Sequence, residues 1–300
     1  VDMIMVSNFV IEHAMNSKMD PLLQALFQYI NQLSLPETPY VTGRLPIPKK
    51  SLLKCFFLKT YFSIDSLRQL VDTLNRFGYF RRICGLKEVP HLSTFSRAGK
   101  WFQEQGFSAF NAQLLKDLGV RYPKIVIIDS TALRSSLYDS QARWGLSTRH
   151  HWFKGYKLHL CTTAEGVILS HVFTTANRND AAVALELFSS VKEWEVEFAL
   201  GDAAYDSEKV HQMAEQTGIF FVSPINPRNS DKRKDAYGRV IPVFLKTEFG
   251  KWLFHFCNTI EQTFNQLKND GLEQPRWYGF HRYLLHVQLC ILMHNFEFLL

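Results

Sequence analysis

The spacing of apolar residues divides the chain into two patterns. From Pro21 to Leu35 they recur at helical intervals, and Pro36, Pro39, Pro46 and Pro48, with Gly43 among them, then punctuate a linker. Between Lys49 and about Leu86, Leu52-Leu53, Phe56-Phe57 and Tyr61, then Leu67, Leu70-Val71 and Leu74, predict two amphipathic helices. Their junction falls near Ser63-Ile-Asp65, where Ser63 or Asp65 would cap the second helix. A further helix is expected from Ser93, so the first third reads as all-helical.

After Leu118 the pattern changes. Lys124 to Asp129 is a short β-branched run suited to a strand buried on both faces. Tyr156 to Thr162 and Val167 to Thr174 flank a short connection ending in Gly166 and predict a hairpin. A helix from about Asp180 to Lys192, a strand from Phe198 to Gly201, a helix from about Ser207 to Thr217 and a strand from Ile219 to Pro224 follow. Hairpin pairing followed by alternating helix and strand describes an α/β mixed sheet with helices on its faces. The boundary is expected near residue 118, giving a helical region over 1–118 and a sheet domain over 119–300.

Composition narrows the partners. The 300 residues include 34 Lys and Arg against 28 Asp and Glu, a formal charge of +6 that favours a polyanionic partner. Five cysteines lie scattered, with no metal spacing, and read as free thiols in a reducing cytoplasm. The opening Val1-Asp-Met-Ile-Met-Val shows no secretory signal, and its lack of an initial Met suggests a trimmed start. Tyr283 to Leu300 is the most apolar segment, but His286, Gln288, His294, Asn295 and Glu297 interrupt it, so a buried closing helix is expected, not a membrane span.

Three acids carry the candidate chemistry. Asp129 and Asp202 each leave the end of a short apolar strand, and Glu261 sits on a late helix. Such a set of hard oxygen ligands suits two divalent cations working on a phosphodiester. If the late helix reaches back to Trp252, then Phe254, Cys257, Glu261 and Lys268 share one face, beside an apolar stripe of Ile260, Phe264 and Leu267. A surface Glu and Lys on an amphipathic helix is the plainer alternative. The segment Arg143 to Lys157 mixes cations with aromatics, including Arg149, Trp152, Lys154 and Lys157; it could follow a phosphate backbone or be a hairpin with a solvated face. His150 and His151, adjacent on a strand, would point to opposite faces and are not assigned as ligands. Asn177 and Asp180 would orient the site or, better, cap the next helix, while Arg228, Arg233 and Lys234 suit DNA contact and solvation equally.

With Ile127-Ile-Asp129-Ser-Thr-Ala, Ala199-Leu-Gly-Asp202-Ala-Ala-Tyr205-Asp206 and Asn258-Thr-Ile-Glu261 followed by Lys268, the chain resembles prokaryotic insertion-sequence transposases of the DDE superfamily. The likeness covers roughly Leu52 to Leu300 and falls in the group with a Tyr-x2-Arg-x3-Glu-x6-Lys signature. It implies a ribonuclease H-like catalytic domain preceded by a helical region that recognises DNA ends. Asp129, Asp202 and Glu261 would bind two Mg2+ ions, with Mn2+ able to substitute, and Lys268 would contact phosphate near the scissile bond. The implied activity is nicking at element ends and strand transfer into target DNA, in the cytoplasm at the nucleoid, with double-stranded DNA as partner and no membrane. Bridging two ends calls for a homodimer in the DNA complex.

The signature's Tyr falls on Phe254 and its Arg on Cys257, which removes a hydroxyl and a guanidinium able to grip phosphate through two hydrogen bonds. Two alternatives follow: a DNA-binding remnant with impaired catalysis, and a ribonuclease H-like nuclease that hydrolyses without joining.

Overall fold

The computed structural model describes residues 20–36, 42–43, 45–147, 149–273 and 275–300, without the side chains at 229, 230 and 232. The start of the chain and much of the proline-punctuated linker therefore lie outside the described residues. The chain divides into two compact units, Val1–Leu114 with Gln288–Leu300, and Leu115–Val287.

The first unit is helical: α1 (Pro21–Gln32), α2 (Lys49–Tyr61), α3 (Leu67–Arg76), α4 (Gly78–Ile83), α5 (Leu92–Trp101), a π-turn over Phe102–Gly106, and most of α6 (Phe107–Asp117). Pro21 opens α1, where its missing amide hydrogen is no loss, and the Asp20 side chain accepts from Leu22 N at 2.8 Å. The cap of α3 is Ser66, which accepts from Gln69 N, not Ser63 or Asp65. Nor is α2 amphipathic as its spacing suggested. It is buried on all sides from Ser51 to Thr60, with Lys54 reaching Asn31 Oδ1 at 2.6 Å. Burial pushes the Lys59 ammonium down to about 8.

The second unit is built on six strands: β1 (Ile125–Arg134), β2 (Arg143–Ser147), β3 (His151–Thr163), β4 (Ile168–Thr175), β5 (Phe198–Gly201) and β6 (Phe220–Val222). The long strand β3 pairs with β1 on one side, and its other side is shared by β2 and β4; β1 continues through β5 to β6. Pairing is antiparallel among β1 to β4 and parallel from β1 to β5 to β6. This is the mixed sheet that the alternating pattern predicted, and it agrees with the ribonuclease H-like fold that the resemblance implied. The expected strand at Lys124 runs on to Arg134, and β2 pairs antiparallel with the start of β3, the hairpin that was one reading of Arg143 to Lys157.

The helices are α7 (Asp180–Val191), α8 (Glu208–Gln216), α9 (Ala236–Phe244), α10 (Glu248–His255), α11 (Cys257–Asn269) and α12 (Phe280–Glu297), whose end from Gln288 belongs to the first unit. Strand alternation sends Val126, Ile128 and Cys161 to one face, where they form a core with Val183, Leu187 and Phe188 of α7. Tyr156 and Phe173 take the opposite face and pack against Phe280 and Tyr283 of α12. Among the described residues no helix is long and apolar enough to cross a membrane.

Candidate active site

Parallel pairing of β1 with β5 places Ile128 opposite Gly201, so the next residue on each strand is an acid, Asp129 and Asp202. Gly201 is required there: a Cβ would stand 2.9 Å from the Phe221 ring and 3.2 Å from Ile128 Cγ1. Asp202 leaves the strand as the cap of a short 3-10 turn and accepts from Ala204 N at 2.9 Å. Asp129 pairs in register with Leu160, which directs it away from the α7 face.

Across that face, α11 supplies Glu261 and Lys268. Ile260, Phe264 and Leu267 are the buried stripe that seats the helix, as their spacing predicted. The helix does not reach back to Trp252, because the chain turns at Phe256 between α10 and α11. Phe254 therefore belongs to a different helix from Cys257. A groove with a cavity of about 270 Å³ is lined by Asp129, Thr131, Arg149, Glu261, Asn265 and Lys268.

The electrostatics follow from this crowding. Burial and the charges of Asp202, Asp180 and Glu261 push the Asp129 carboxyl up to about 7, against one hydrogen bond from Ser130 N at 2.7 Å that favours its anion. Asp202 is raised by burial and by Asp180. Burial and the three carboxylates Asp129, Asp202 and Glu261 push the Cys257 thiol up to about 12. Burial and the neighbouring Arg149 hold Lys268 below the ordinary lysine value. Glu273 joins the two cations, 3.0 Å from Arg149 Nη1 and 3.7 Å from Lys268 Nζ.

The remaining expected contacts lie elsewhere. Lys154 donates to the Leu137 carbonyl at 2.6 Å, and Trp152 stands exposed on β3. Lys157 is bound to Asp180 at 2.7 Å, where its strand partner Ala132 marks the α7 side of the sheet. His150 lies in the turn before β3, and His151 opens the strand at φ 52°. Asn179 caps α7, not Asn177 or Asp180; Asp180 instead accepts from Lys157 and from Ser130 Oγ at 3.1 Å. Arg233 is buried and paired with Asp206 at 3.2 Å and Asp235 at 3.3 Å, which rules out simple solvation. The sequence named Asp180 as orienting the site or capping a helix, and the ties to Lys157 and Ser130 favour the first; the role of Asp206 as the anchor of Arg233 was missed, although it stands in the Asp202 motif.

Two stretches of the chain match known families: residues 122–296 match the Transposase DDE domain, and residues 11–100 match the Transposase domain (DUF772). The first match spans more than half of the chain and includes all three acids. The chain belongs to the DDE transposase family. No curated protein matches it. The sheet of this transposase is accordingly a DDE catalytic fold, and the helical region is the kind of domain that accompanies it.

DDE transposases use divalent metal. Among the described residues, no three His, Cys, Asp or Glu side chains gather closely enough to hold a single ion. The donor chemistry nonetheless fits: Mg2+ is commonly held by one or two carboxylates together with substrate phosphate, not by an all-protein cage. Asp129 and Asp202 on adjacent strand ends, which form no salt bridge among the described residues, are a donor set of that kind.

Proposed function

We propose that this transposase cuts DNA at the ends of its element and joins the freed 3′ hydroxyl to target DNA, with Asp129, Asp202 and Glu261 as ligands of divalent cations, Mg2+ foremost. The observation that carries this reading is the pair of acids at the ends of adjacent strands, beside a groove that Asp129 and Glu261 share with the basic side chains Arg149 and Lys268. When bound, the cations supply positive charge that offsets the charge developing on the phosphate.

The chain's own residues do the rest. The fixed register of β1 on β5 holds Asp129 and Asp202 side by side, so little reorganisation is needed when substrate arrives. Lys268 and Arg149, both on the groove, suit the non-bridging oxygens of the phosphate and position it against the acids. A thiol with its pKa pushed up to about 12 is protonated at neutral pH, so Cys257 is no nucleophile, and attack falls to water and then to the DNA hydroxyl. Trp152 and Lys154 on the β2–β3 ribbon are proposed to flank the DNA, and we assign Lys157 to bracing the strand through Asp180. Bridging two ends requires at least two copies of the chain in the DNA complex.

The position of Cys257 favours a second reading. It sits where the family signature has Arg, in the field of all three acids, so a copy with weakened catalysis is the alternative. A supercoiled plasmid carrying the element and its flanks, incubated with Mg2+, tests both. Nicked and joined products that vanish in Asp129→Asn and Asp202→Asn are expected, and cleavage persisting in those variants would overturn the proposal. Nicking without joining points to a hydrolytic nuclease; end binding without cleavage, restored by Cys257→Arg, points to the weakened copy.

A further inference from the structure

A second cavity of about 270 Å³ opens at the far end of β1, lined by Arg134, Ser135, Ser136, Arg276, Tyr278 and Tyr283. No carboxylate is among its described lining residues, and the Arg134 guanidinium has no ion-pair partner among the described residues. Two guanidiniums, hydroxyls and no acid are the donor set of a phosphate site.

The walls are built in advance. Behind the cavity, Asp139 is buried and accepts from Ser135 Oγ at 2.6 Å, Tyr156 OH at 2.9 Å, Gly279 N at 3.1 Å and Gln141 N at 3.1 Å. Gln141 Oε1 accepts from Phe280 N at 2.7 Å. These bonds tie the turn after β1 to the loop that carries Arg276 and Tyr278, and both arginines line the one cavity. Arg276 itself is held at φ 50°, a left-handed conformation uncommon for a side chain of this size.

The two cavities share an electrostatic neighbour, His150. Arg134 of the second cavity and Arg149 and Lys268 of the first all act on the His150 imidazole, which burial and these cations hold below its usual pKa. The cations thus form one patch. Asp129 and Arg134 lie five residues apart on one strand, at most ~17 Å at about 3.3 Å per residue. That is no more than about five base-pair steps of 3.4 Å.

We propose that the Arg134–Arg276 cavity binds a backbone phosphate of the DNA whose scissile bond lies at Asp129, within about five base pairs of the cut. The inference rests on the DNA-cleaving reading of the Asp129 groove and adds a second anchor. One phosphate fixes position but not direction; two fix the line of the backbone through the site.

The test is the salt dependence of binding to a 30-base-pair duplex without metal, compared among the unsubstituted chain, Arg134→Gln, Arg276→Gln, the double variant and the exposed control Lys192→Ala. Loss of one neutralised phosphate lowers the slope of log affinity against log salt by ~0.9. Because both guanidiniums meet one phosphate, the double variant should lose about the same slope as either single variant, with roughly tenfold weaker binding. Arg134→Lys should restore most of the slope, since it returns the charge. Lys192→Ala should change nothing. Unchanged slopes in both arginine variants, while Lys268→Ala lowers the slope, would overturn this inference and leave the Asp129 reading intact. Absence of duplex binding by the unsubstituted chain would overturn both.

Discussion

The sheet unit treats its carboxylates in two ways. Asp206 is almost fully enclosed and met by Arg233 Nη2 at 3.2 Å, Asn226 N at 2.9 Å and His211 Nε2 at 3.2 Å, so burial is outweighed and its pKa is held below the ordinary value. Asp180 likewise has Lys157 on one oxygen and Ser130 on the other. On the opposite side of β1, Asp129 has one backbone amide and faces other acids, and it is pushed up to about 7. Burying an unpaired charge is costly, and evolution of a fold alone would give no reason to keep it. On the proposed reading, the contrast separates the acids that the chain completes by itself from those that would take a divalent cation.

The largest effect that could break this contrast is catalytic. Asp202→Asn should lower plasmid cleavage by at least ~10³-fold, about 4 kcal/mol of barrier, while its melting temperature is not lowered. Asp206→Ala should do the reverse. It leaves the buried Arg233 with Asp235 alone and His211 and Asn226 N without their acceptor, and should cost at least ~1.5–3 kcal/mol in chemical denaturation. A cost below about 1 kcal/mol would make the closed site no different from an exposed pair.

A smaller effect concerns pH. The folded chain holds a proton on Asp129 up to about 7, whereas the unfolded carboxyl releases it near 3.8. Stability from this group is therefore fully present below about 3.8 and is lost as pH rises through about 7. Asp129→Asn should flatten that part of the profile and be the more stable form at pH 8 by roughly 2–4 kcal/mol. Equal slopes for the two proteins between pH 4 and 7 would contradict the geometry. The smallest effect sharpens the role of the missing guanidinium: Cys257→Arg should strengthen cleavage by an amount equivalent to about 1.5–3 kcal/mol, read as the rate at saturating DNA.

How far the sequence carried this account depends on the range of the interactions involved. Asp129 and Asp202 were legible because short apolar runs announce buried strands, and an acid at the end of each must emerge or be paired. The stripe Ile260, Phe264 and Leu267 announced which way α11 would face. What stayed hidden rests on long-range pairing. Asp206 and Arg233 are 27 positions apart and meet only because the loop after β5 and the segment before α9 converge. Arg134 and Arg276 belong to segments with no common pattern, and Asp139, which ties them together, looks like any turn acid in the sequence. The all-round burial of α2 was also missed, since Lys54 and Lys59 break its apolar spacing on paper while their stems lie inside.

The central claim is that Asp129, Asp202 and Glu261 form an acid set awaiting divalent cation. It is tested most directly by thermal unfolding of the full chain at pH 8 with increasing Mn2+ or Mg2+, without DNA, for the unsubstituted protein, Asp129→Asn and Asp202→Asn. Binding to the folded state alone raises the melting temperature with cation concentration. The account predicts such a rise in the unsubstituted chain and its loss in both variants; an equal rise in all three would contradict it.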